Sequence, residues 1–188
     1  MRGKPGENYF AGKVMGKHFD RVFASLPTNG WLSYDEAKCL WRYARIAKGP
    51  ILEVGCYHGR STVLLAALGW RVYTVDSFAG FDSQDPTGSS VEAGFRLNLA
   101  SRGITNVLLF REKIEDWEPR PVGFAYLDGD HTYLGTLAQI EKALPCGPLA
   151  IALHDVNDKG DGREVKRAAL ERLGMWRERI ERLAVWLV

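Results

Sequence analysis

The segment that decides the fold is Gly49-Pro50-Ile51-Leu52-Glu53-Val54-Gly55-Cys56-Tyr57-His58-Gly59-Arg60-Ser61-Thr62. A short apolar run that carries an acid leads, through a turn bracketed by two glycines, into a helix predicted to begin at Arg60. Glycine adopts positive φ and has no Cβ, so such a turn can come close to a bound molecule. The first amides of the helix suit a carboxylate or a phosphate. The segment therefore predicts a strand–turn–helix unit that holds a nucleotide-like ligand.

The spacing of the glycines bears on which ligand this is. The dinucleotide fingerprint is Gly-x-Gly-x-x-Gly, and Tyr57 stands where its second glycine would be. A pyrophosphate would meet the Tyr57 side chain, which disfavours a nicotinamide cofactor. A tight turn of any doubly wound sheet, without a ligand, is the alternative that this motif alone leaves open.

Length and composition exclude several classes of protein. The 188 residues suffice for one large core, and the net charge of +2 gives no reason to expect a nucleic-acid partner. No apolar run reaches the roughly 18 residues of a membrane span, and no signal peptide is recognised, so we expect a cytoplasmic protein. The three cysteines are widely spaced and are predicted to be reduced structural thiols.

The chain divides into an arm and one domain. Residues 1–30 are predicted to be a partly ordered N-terminal arm, whose residues Phe10, Phe19, Val22 and Phe23 could pack on a partner subunit in a homo-oligomer. Residues 31–188 are predicted to be a single domain. Its predicted helices cover 34–47, 60–68, 91–102, 133–144 and 163–173, its predicted strands follow the apolar runs that end at Val54, Asp76, Phe110, Leu127 and Leu153, and a hairpin is predicted over 176–188.

Polar residues follow the second and third predicted strands. Asp76 ends a β-branched run, where one carboxylate can hold a ribose diol; a turn aspartate is the alternative. The loop 77–90 that follows is predicted to be a lid or a substrate wall, with a flexible connection as the alternative. The segment from Glu112 to Ile114 would lie at the same edge and could border an adenine, although a solvated charged turn is equally compatible.

Acids and histidines follow the next two strands. Asp128, Asp130 and His131 come directly after one apolar run, and His154-Asp155 ends another. Because the tips of neighbouring parallel strands lie side by side, Asp128 and Asp155 should converge. Such convergence is typical of a divalent-metal site or an acid/base site, although Asp130 or Thr132 could instead cap the helix that follows.

Taken together, these motifs resemble the class I S-adenosylmethionine-dependent methyltransferases, in the group that includes macrocin-type sugar O-methyltransferases and cephalosporin-hydroxylase-like proteins. The resemblance covers about residues 30 to 188. It rests on four motifs in order: Glu53-Val54-Gly55-x-x-x-Gly59-Arg60-Ser61-Thr62, Val75-Asp76-Ser77-Phe78, Leu127-Asp128-Gly129-Asp130-His131-x-Tyr133, and His154-Asp155-Val156 followed by Val165-Lys166-Arg167-Ala168.

The resemblance implies a fold and a set of site residues. The fold is a doubly wound, Rossmann-like α/β sheet of seven strands, with strand 7 antiparallel and helices on both faces. The implied cofactor is S-adenosylmethionine. Its predicted binding set is Glu53, Gly55, Cys56, Tyr57, Gly59, Ser61, Thr62, Asp76, Ser77, Phe78, Glu112, Lys113 and Asp128. Metal-dependent members bind magnesium at positions that match Asp128, His154 and Asp155. A histidine is a better ligand for manganese, iron or zinc, so either the metal differs here or this member has none.

The predicted function is O-methylation of a small hydroxylated acceptor. Asp128, His131 or His154 would act as the general base, with a divalent metal, magnesium or manganese, as a further component. Three alternatives stay open: a nicotinamide-dependent oxidoreductase, a non-catalytic Rossmann-like binding module, and a metal-dependent hydrolase or hydroxylase that would use His131, His154 and Asp155.

Overall fold

The computed structural model of the protein describes residues 16–79, 85 and 87–188. Parts of the predicted arm and of the loop 77–90, including Phe10, therefore lie outside the described residues. The strands are β1 (Ile51–Val54), β2 (Val72–Val75), β3 (Val107–Phe110), β4 (Phe124–Leu127), β5 (Ala150–Leu153), β6 (Glu178–Ile180) and β7 (Leu183–Leu187). The described helices are α1 (residues 16–24), α2 (Tyr34–Ala47), α3 (Arg60–Ala66), α4 (Ser89–Ala100), α5 (Tyr133–Ala143) and α6 (Gly162–Leu173), with a short 3-10 turn at Leu144–Cys146.

The strands form one seven-stranded sheet in the order β3-β2-β1-β4-β5-β7-β6. Strands β1 to β5 pair in parallel, and β7 is antiparallel to both β5 and β6. Strand β6 consequently runs in the direction of the first five, so six strands are parallel and strand 7 alone is antiparallel. The predicted sheet and the predicted terminal hairpin are confirmed.

The register brings four strand tips to one level. Val54 lies opposite Val75 on one side and Leu127 on the other, and Leu127 lies opposite Leu153. The residues that come next along these strands are Gly55, Asp76, Asp128 and His154. The sheet therefore places the predicted site residues of separate motifs along one edge.

Helices cover both faces of the sheet because successive strand residues point to opposite sides. Ile51 belongs to the buried cluster that includes α2 and α3, whereas Leu52 belongs to the cluster that includes α5 and α6. A smaller cluster of Cys56, Phe78, Val91 and Phe95 packs α4 against the turn after β1. The three cysteines are free and buried, as predicted.

Two segments differ from the sequence-based expectations. Helix α4 begins two residues before the predicted start, because the Asp85 carboxylate accepts hydrogen bonds from the amides of Ser89 and Ser90. In the predicted arm, residues 16–24 are helical, and Phe19 is buried against Tyr34 and Trp41 of the same chain rather than exposed to a partner. Among the described residues, no helix has both the length and the hydropathy needed to cross a bilayer.

Candidate active site

A cavity of about 560 Å³ opens at the edge of the sheet where these strand tips meet. It is lined on one side by the turn after β1 and by the end of β2, and on the other by the tips of β4 and β5. The predicted site residues on its wall are Gly55, Cys56, Tyr57, Ser61, Asp76, Ser77, Phe78, Glu112, Lys113, Asp128, His131, His154 and Asp155. One cavity therefore collects most of the residues chosen from four separate motifs.

The turn after β1 is held by Asp76. One carboxylate oxygen of Asp76 accepts the amides of Cys56 and Tyr57 at 2.8 and 3.1 Å, and the other accepts the Phe78 amide at 2.7 Å. The two interpretations of Asp76 are thus compatible: it fixes the turn and also lines the cavity. A carboxylate has about four lone-pair sites, so Asp76 retains the capacity to accept a further donor from a ligand.

Gly55 allows the turn to pack against the next strand tip. Its φ is +80°, and a Cβ at this position would lie 2.2 Å from the backbone oxygen of Asp128. The sequence predicted that this turn comes close to a bound molecule. In the structure, Gly55 comes close to the backbone at the end of β4, which brings the turn and Asp128 together.

Three predicted cofactor-binding residues, Glu53, Gly59 and Thr62, do not line the cavity. Glu53 is fully buried and accepts hydrogen bonds from the hydroxyls of Thr62 and Thr74 at 2.6 and 3.0 Å, while its Oε1 has no hydrogen-bond partner among the described residues. Burial raises the pKa of Glu53 to about 7. Gly59 faces Phe95, whose ring lies 3.0 Å from the position of a Cβ. These residues link β1, β2, α3 and α4 rather than contact the cavity.

Asp128, His131 and Asp155 form what we call the acid–histidine cluster. His131 Nε2 lies 3.3 Å from Asp128 Oδ1 and 3.7 Å from Asp155 Oδ2, and one ligand atom from each of the three residues lies within 4.8 Å of the others. Their side chains are partly exposed, by 25% for Asp128, 36% for His131 and 20% for Asp155. The predicted convergence of the β4 and β5 tips is confirmed, with His131 as its third member.

His154 lies behind this cluster and is 2% exposed. Its Nδ1 lies 3.5 Å from Asp128 Oδ1 and 3.4 Å from Asp155 Oδ2, and its Nε2 lies 3.4 Å from Glu36 Oε2, an ion-pair distance without hydrogen-bond geometry. Burial alone would lower the pKa of His154, but the surrounding carboxylates outweigh burial and raise it to about 12. Both ring nitrogens of His154 face carboxylates, so these contacts favour the imidazole that carries two protons.

The charges of the cluster follow from these contacts. Burial would raise the pKa of Asp128, but His154 and His131 hold it well below its ordinary range. The hydrogen bond to Asp128 raises the pKa of His131. The pKa of Asp155 is lowered by its hydrogen bond with His154, and Arg182 Nη1 also donates to Asp155 Oδ1 at 2.9 Å.

Sequence reasoning missed three residues around the cavity. Glu36 lies in the first turn of the predicted helix 34–47, but the pattern does not indicate that it reaches His154. Arg182 carries no motif. Trp31 also carries no motif, yet it is 63% exposed, lines the cavity, and stacks on Tyr57 with ring centroids 5.6 Å apart.

A protein-family sequence model described as a methyltransferase domain matches residues 52–156, which is more than half of the chain. The chain belongs to this methyltransferase family. The match spans the turn after β1, Asp76, the acid–histidine cluster and His154. The methyltransferase class predicted from the sequence is thereby confirmed. No curated protein matches this methyltransferase.

Solved structures similar to this methyltransferase share its fold. The O-methyltransferase from Bacillus cereus in complex with SAH is 18% identical, with a TM-score of 0.62 over 92% of this chain and 91% of that chain. TomG from Streptomyces achromogenes, an O-methyltransferase in complex with SAM, is 16% identical, with a TM-score of 0.61 over 90% and 89%. CalS11, a TDP-rhamnose 3'-O-methyltransferase of calicheamicin biosynthesis, is 17% identical, with a TM-score of 0.58 over 100% and 96%.

Proposed function

We propose that this methyltransferase transfers a methyl group from S-adenosylmethionine to a hydroxyl oxygen of a small acceptor. The observation that carries the proposal is that one cavity contains both the Asp76-bound turn and the acid–histidine cluster. The named activities of CalS11, TomG and the Bacillus cereus enzyme support an oxygen atom as the acceptor.

The residues of the cavity fit S-adenosylmethionine. The cavity volume of about 560 Å³ lies within the roughly 300–1,000 Å³ that small-molecule sites occupy. Asp76 would hold the ribose hydroxyls, the turn at Gly55–Tyr57 would hold the amino-acid end, and the segment from Glu112 to Ile114 would border the base. When bound, S-adenosylmethionine supplies a strongly electrophilic methyl group.

The protein must then orient the acceptor hydroxyl and take up its proton. We assign the uptake of this proton to His131, because it is the most exposed member of the acid–histidine cluster. The hydrogen bond to Asp128 also raises the pKa of His131 above that of a free imidazole. Asp128 holds the His131 ring through the 3.3 Å contact. His154, at 2% exposure, would not touch the acceptor.

A second proposal for the same cluster is a cation site, favoured by the spacing of its ligand atoms. Ligands that bind one ion at about 2.0–2.2 Å lie roughly 3 Å apart, close to the 3.3 and 3.7 Å observed here. Two carboxylates and an imidazole suit manganese, iron or zinc better than magnesium. Asp128, His131 and Asp155 would hold the ion, with His131 in the place predicted for His154, and the ion would supply Lewis acidity.

Calorimetry and turnover assays test both proposals. We expect the purified protein to bind S-adenosylhomocysteine and to release it from S-adenosylmethionine when given TDP-rhamnose or 3,4-dihydroxybenzoic acid as probe acceptors. Turnover that persists in EDTA supports His131 as the base. Turnover that EDTA abolishes and Mn²⁺ restores supports the cation site. A folded protein that binds neither the donor nor its demethylated product would contradict the proposed function.

A further inference from the structure

Glu36 is a buried acid outside the acid–histidine cluster, in the first turn of α2, and is 1% exposed. Three donors from three parts of the fold face its carboxylate. Oε1 accepts the backbone amide of Arg182 at 3.1 Å, Oε2 accepts the amide of Ser33 at 3.0 Å, and Oε2 lies 3.4 Å from Nε2 of His154. The carboxylate thereby joins the start of α2, the turn between β6 and β7, and the tip of β5.

Two of these partners lead directly to the acids of the cluster. The opposite ring nitrogen of His154 lies 3.5 Å from Asp128 and 3.4 Å from Asp155, so this one nitrogen bridges two like charges on neighbouring strand tips. Arg182, whose amide Glu36 holds, donates from its side chain to Asp155 at 2.9 Å. Asp155 has a φ of +55°, a left-handed conformation that a non-glycine residue keeps only when its surroundings hold it there.

A helix cap does not by itself require this arrangement. Glu36 and Ser33 form a reciprocal capping box, which an exposed acid can form equally well. Burying a carboxylate is costly unless donors compensate it, and here two of the three donors belong to elements other than α2. The burial of Glu36 is therefore accounted for by its contacts with His154 and Arg182.

We propose that Glu36 is a positioning residue for methyl transfer, which orients His154 and Arg182 and through them holds Asp128 and Asp155 in place. The proposal rests on the proposed function. It assigns a role in turnover to a side chain that does not line the cavity.

The test compares Glu36→Gln with Ser33→Ala. Glutamate has two acceptor oxygens, whereas glutamine has one oxygen and one NH₂ donor group. In Glu36→Gln this NH₂ group must therefore face an N–H donor from which a carboxylate oxygen accepted a hydrogen bond. Ser33→Ala removes the other half of the same capping box but touches neither His154 nor Arg182. Ser33→Ala should lower Tm through loss of the helix cap alone, and Glu36→Gln should lower it further, because it also removes the buried charge that faces His154. Ser33→Ala is therefore the control for loss of the cap.

We expect Glu36→Gln to lower kcat at least about tenfold, with the KM for S-adenosylmethionine within about twofold of wild type. Ser33→Ala should keep kcat within about twofold. Turnover is measured with whichever of TDP-rhamnose and 3,4-dihydroxybenzoic acid the wild type methylates. An unchanged kcat in Glu36→Gln, or an equal loss of kcat in both variants, would overturn the proposal.

A second readout separates this proposal from the proposed function. The chain has four histidines, so the ¹⁵N spectrum of its imidazole rings is simple, and His154→Gln assigns the His154 signals. We expect these signals to shift or broaden in Glu36→Gln and to stay unchanged in Ser33→Ala. If the wild type methylates neither probe, these spectra still decide whether Glu36 positions His154, and unchanged His154 signals in Glu36→Gln would refute it.

Discussion

Single carboxylates hold this site together. Asp76 binds the amides of the turn after β1, Glu53 binds the hydroxyls of Thr62 and Thr74 beneath it, and Asp128 lies between two histidines. Each is buried or half-buried and depends on donors from other parts of the chain. Removing the charge of one such residue should therefore change stability or turnover by a measurable amount.

Glu53 should make stability depend on pH. Its folded pKa of about 7 lies above its ordinary value of 4.5, so in that interval the folded state keeps a proton that the unfolded chain releases. The free energy of unfolding, relative to Glu53→Gln, should then fall by about 1.4 kcal/mol per pH unit as pH rises and level off above about pH 7. Urea denaturation of both proteins from about pH 5 to about pH 8 measures the difference. A difference that does not vary with pH would contradict the raised pKa.

Gly55 should tolerate no side chain. In Gly55→Ala the new Cβ would lie 2.2 Å from the backbone of Asp128, at a φ of +80°. We expect a loss of about 3 kcal/mol or more, because backbone strain adds to overpacking. Gly69→Ala is the matched control, since its φ of +82° is similar but no atom lies within 4 Å of the new Cβ, and it should cost only about 1 kcal/mol. Equal losses in urea denaturation would show that the contact with Asp128 is unimportant.

Asp128→Asn should slow methyl transfer about 100-fold or more, because it removes the charge that holds His131 and His154. Single-turnover transfer from S-adenosylmethionine to a probe acceptor measures this. Asp158→Asn is the control, since Asp158 is exposed and pairs with Lys166 away from the cavity. A rate within about threefold of wild type in Asp128→Asn would exclude both the base and the cation roles of the cluster.

Among helices and strands, α1 is the element whose packing the sequence did not indicate. The apolar residues of α1 form only short clusters in the sequence, yet Phe19 is 3% exposed and makes edge-to-face contacts with Tyr34 and Trp41. Through this contact, α1 supports α2, which carries Glu36 to His154. The described part of the predicted arm thus contributes to the core on the side of the sheet that also bears α3.

Phe19→Ala should destabilise the protein by about 3–5 kcal/mol, as expected for a buried aromatic ring whose space is left unfilled. Leu97→Ala should change the free energy of unfolding by less than about 0.5 kcal/mol, because Leu97 is 68% exposed. Urea denaturation of both variants measures these differences. A small effect of Phe19→Ala would mean that α1 is not part of the cooperative fold.

For the molecule as a whole, the cavity is built from the tips of β1, β2, β4 and β5, so a ligand that fills it contacts four strand ends at one edge of the sheet. If S-adenosylhomocysteine binds only the folded state, a concentration of 100 Kd should stabilise the protein by about 2.7 kcal/mol. NADH at the same concentration should give no shift, since Tyr57 occupies the position of the second glycine of the dinucleotide fingerprint. Thermal denaturation measures both, and a larger shift with NADH would favour the oxidoreductase alternative.

Much of this protein is determined by local patterns. A parallel sheet and the order of its elements are predicted by the apolar runs and by the glycines after β1. The acids that follow the runs predict one edge with Asp76, Asp128 and Asp155. Hydrophobic periodicity and the position of a residue at a strand tip are local properties of a chain, so the sequence shows them. The family motifs add the antiparallel seventh strand and the methyltransferase class, and both are confirmed.

The tertiary structure alone decided which polar residues meet. Both His131 and His154 contact Asp128 and Asp155, but only His131 does so from the exposed side. The β5 tip buries His154 against Glu36, an acid from a helix more than a hundred residues earlier in the chain. Glu53 and Thr62 belong to the strongest motif yet lie beneath the turn, because the direction of a side chain depends on what packs around it. Contacts between residues far apart in sequence leave no periodic signal, so the partners of Glu36, His154 and Arg182 follow only from the folded chain.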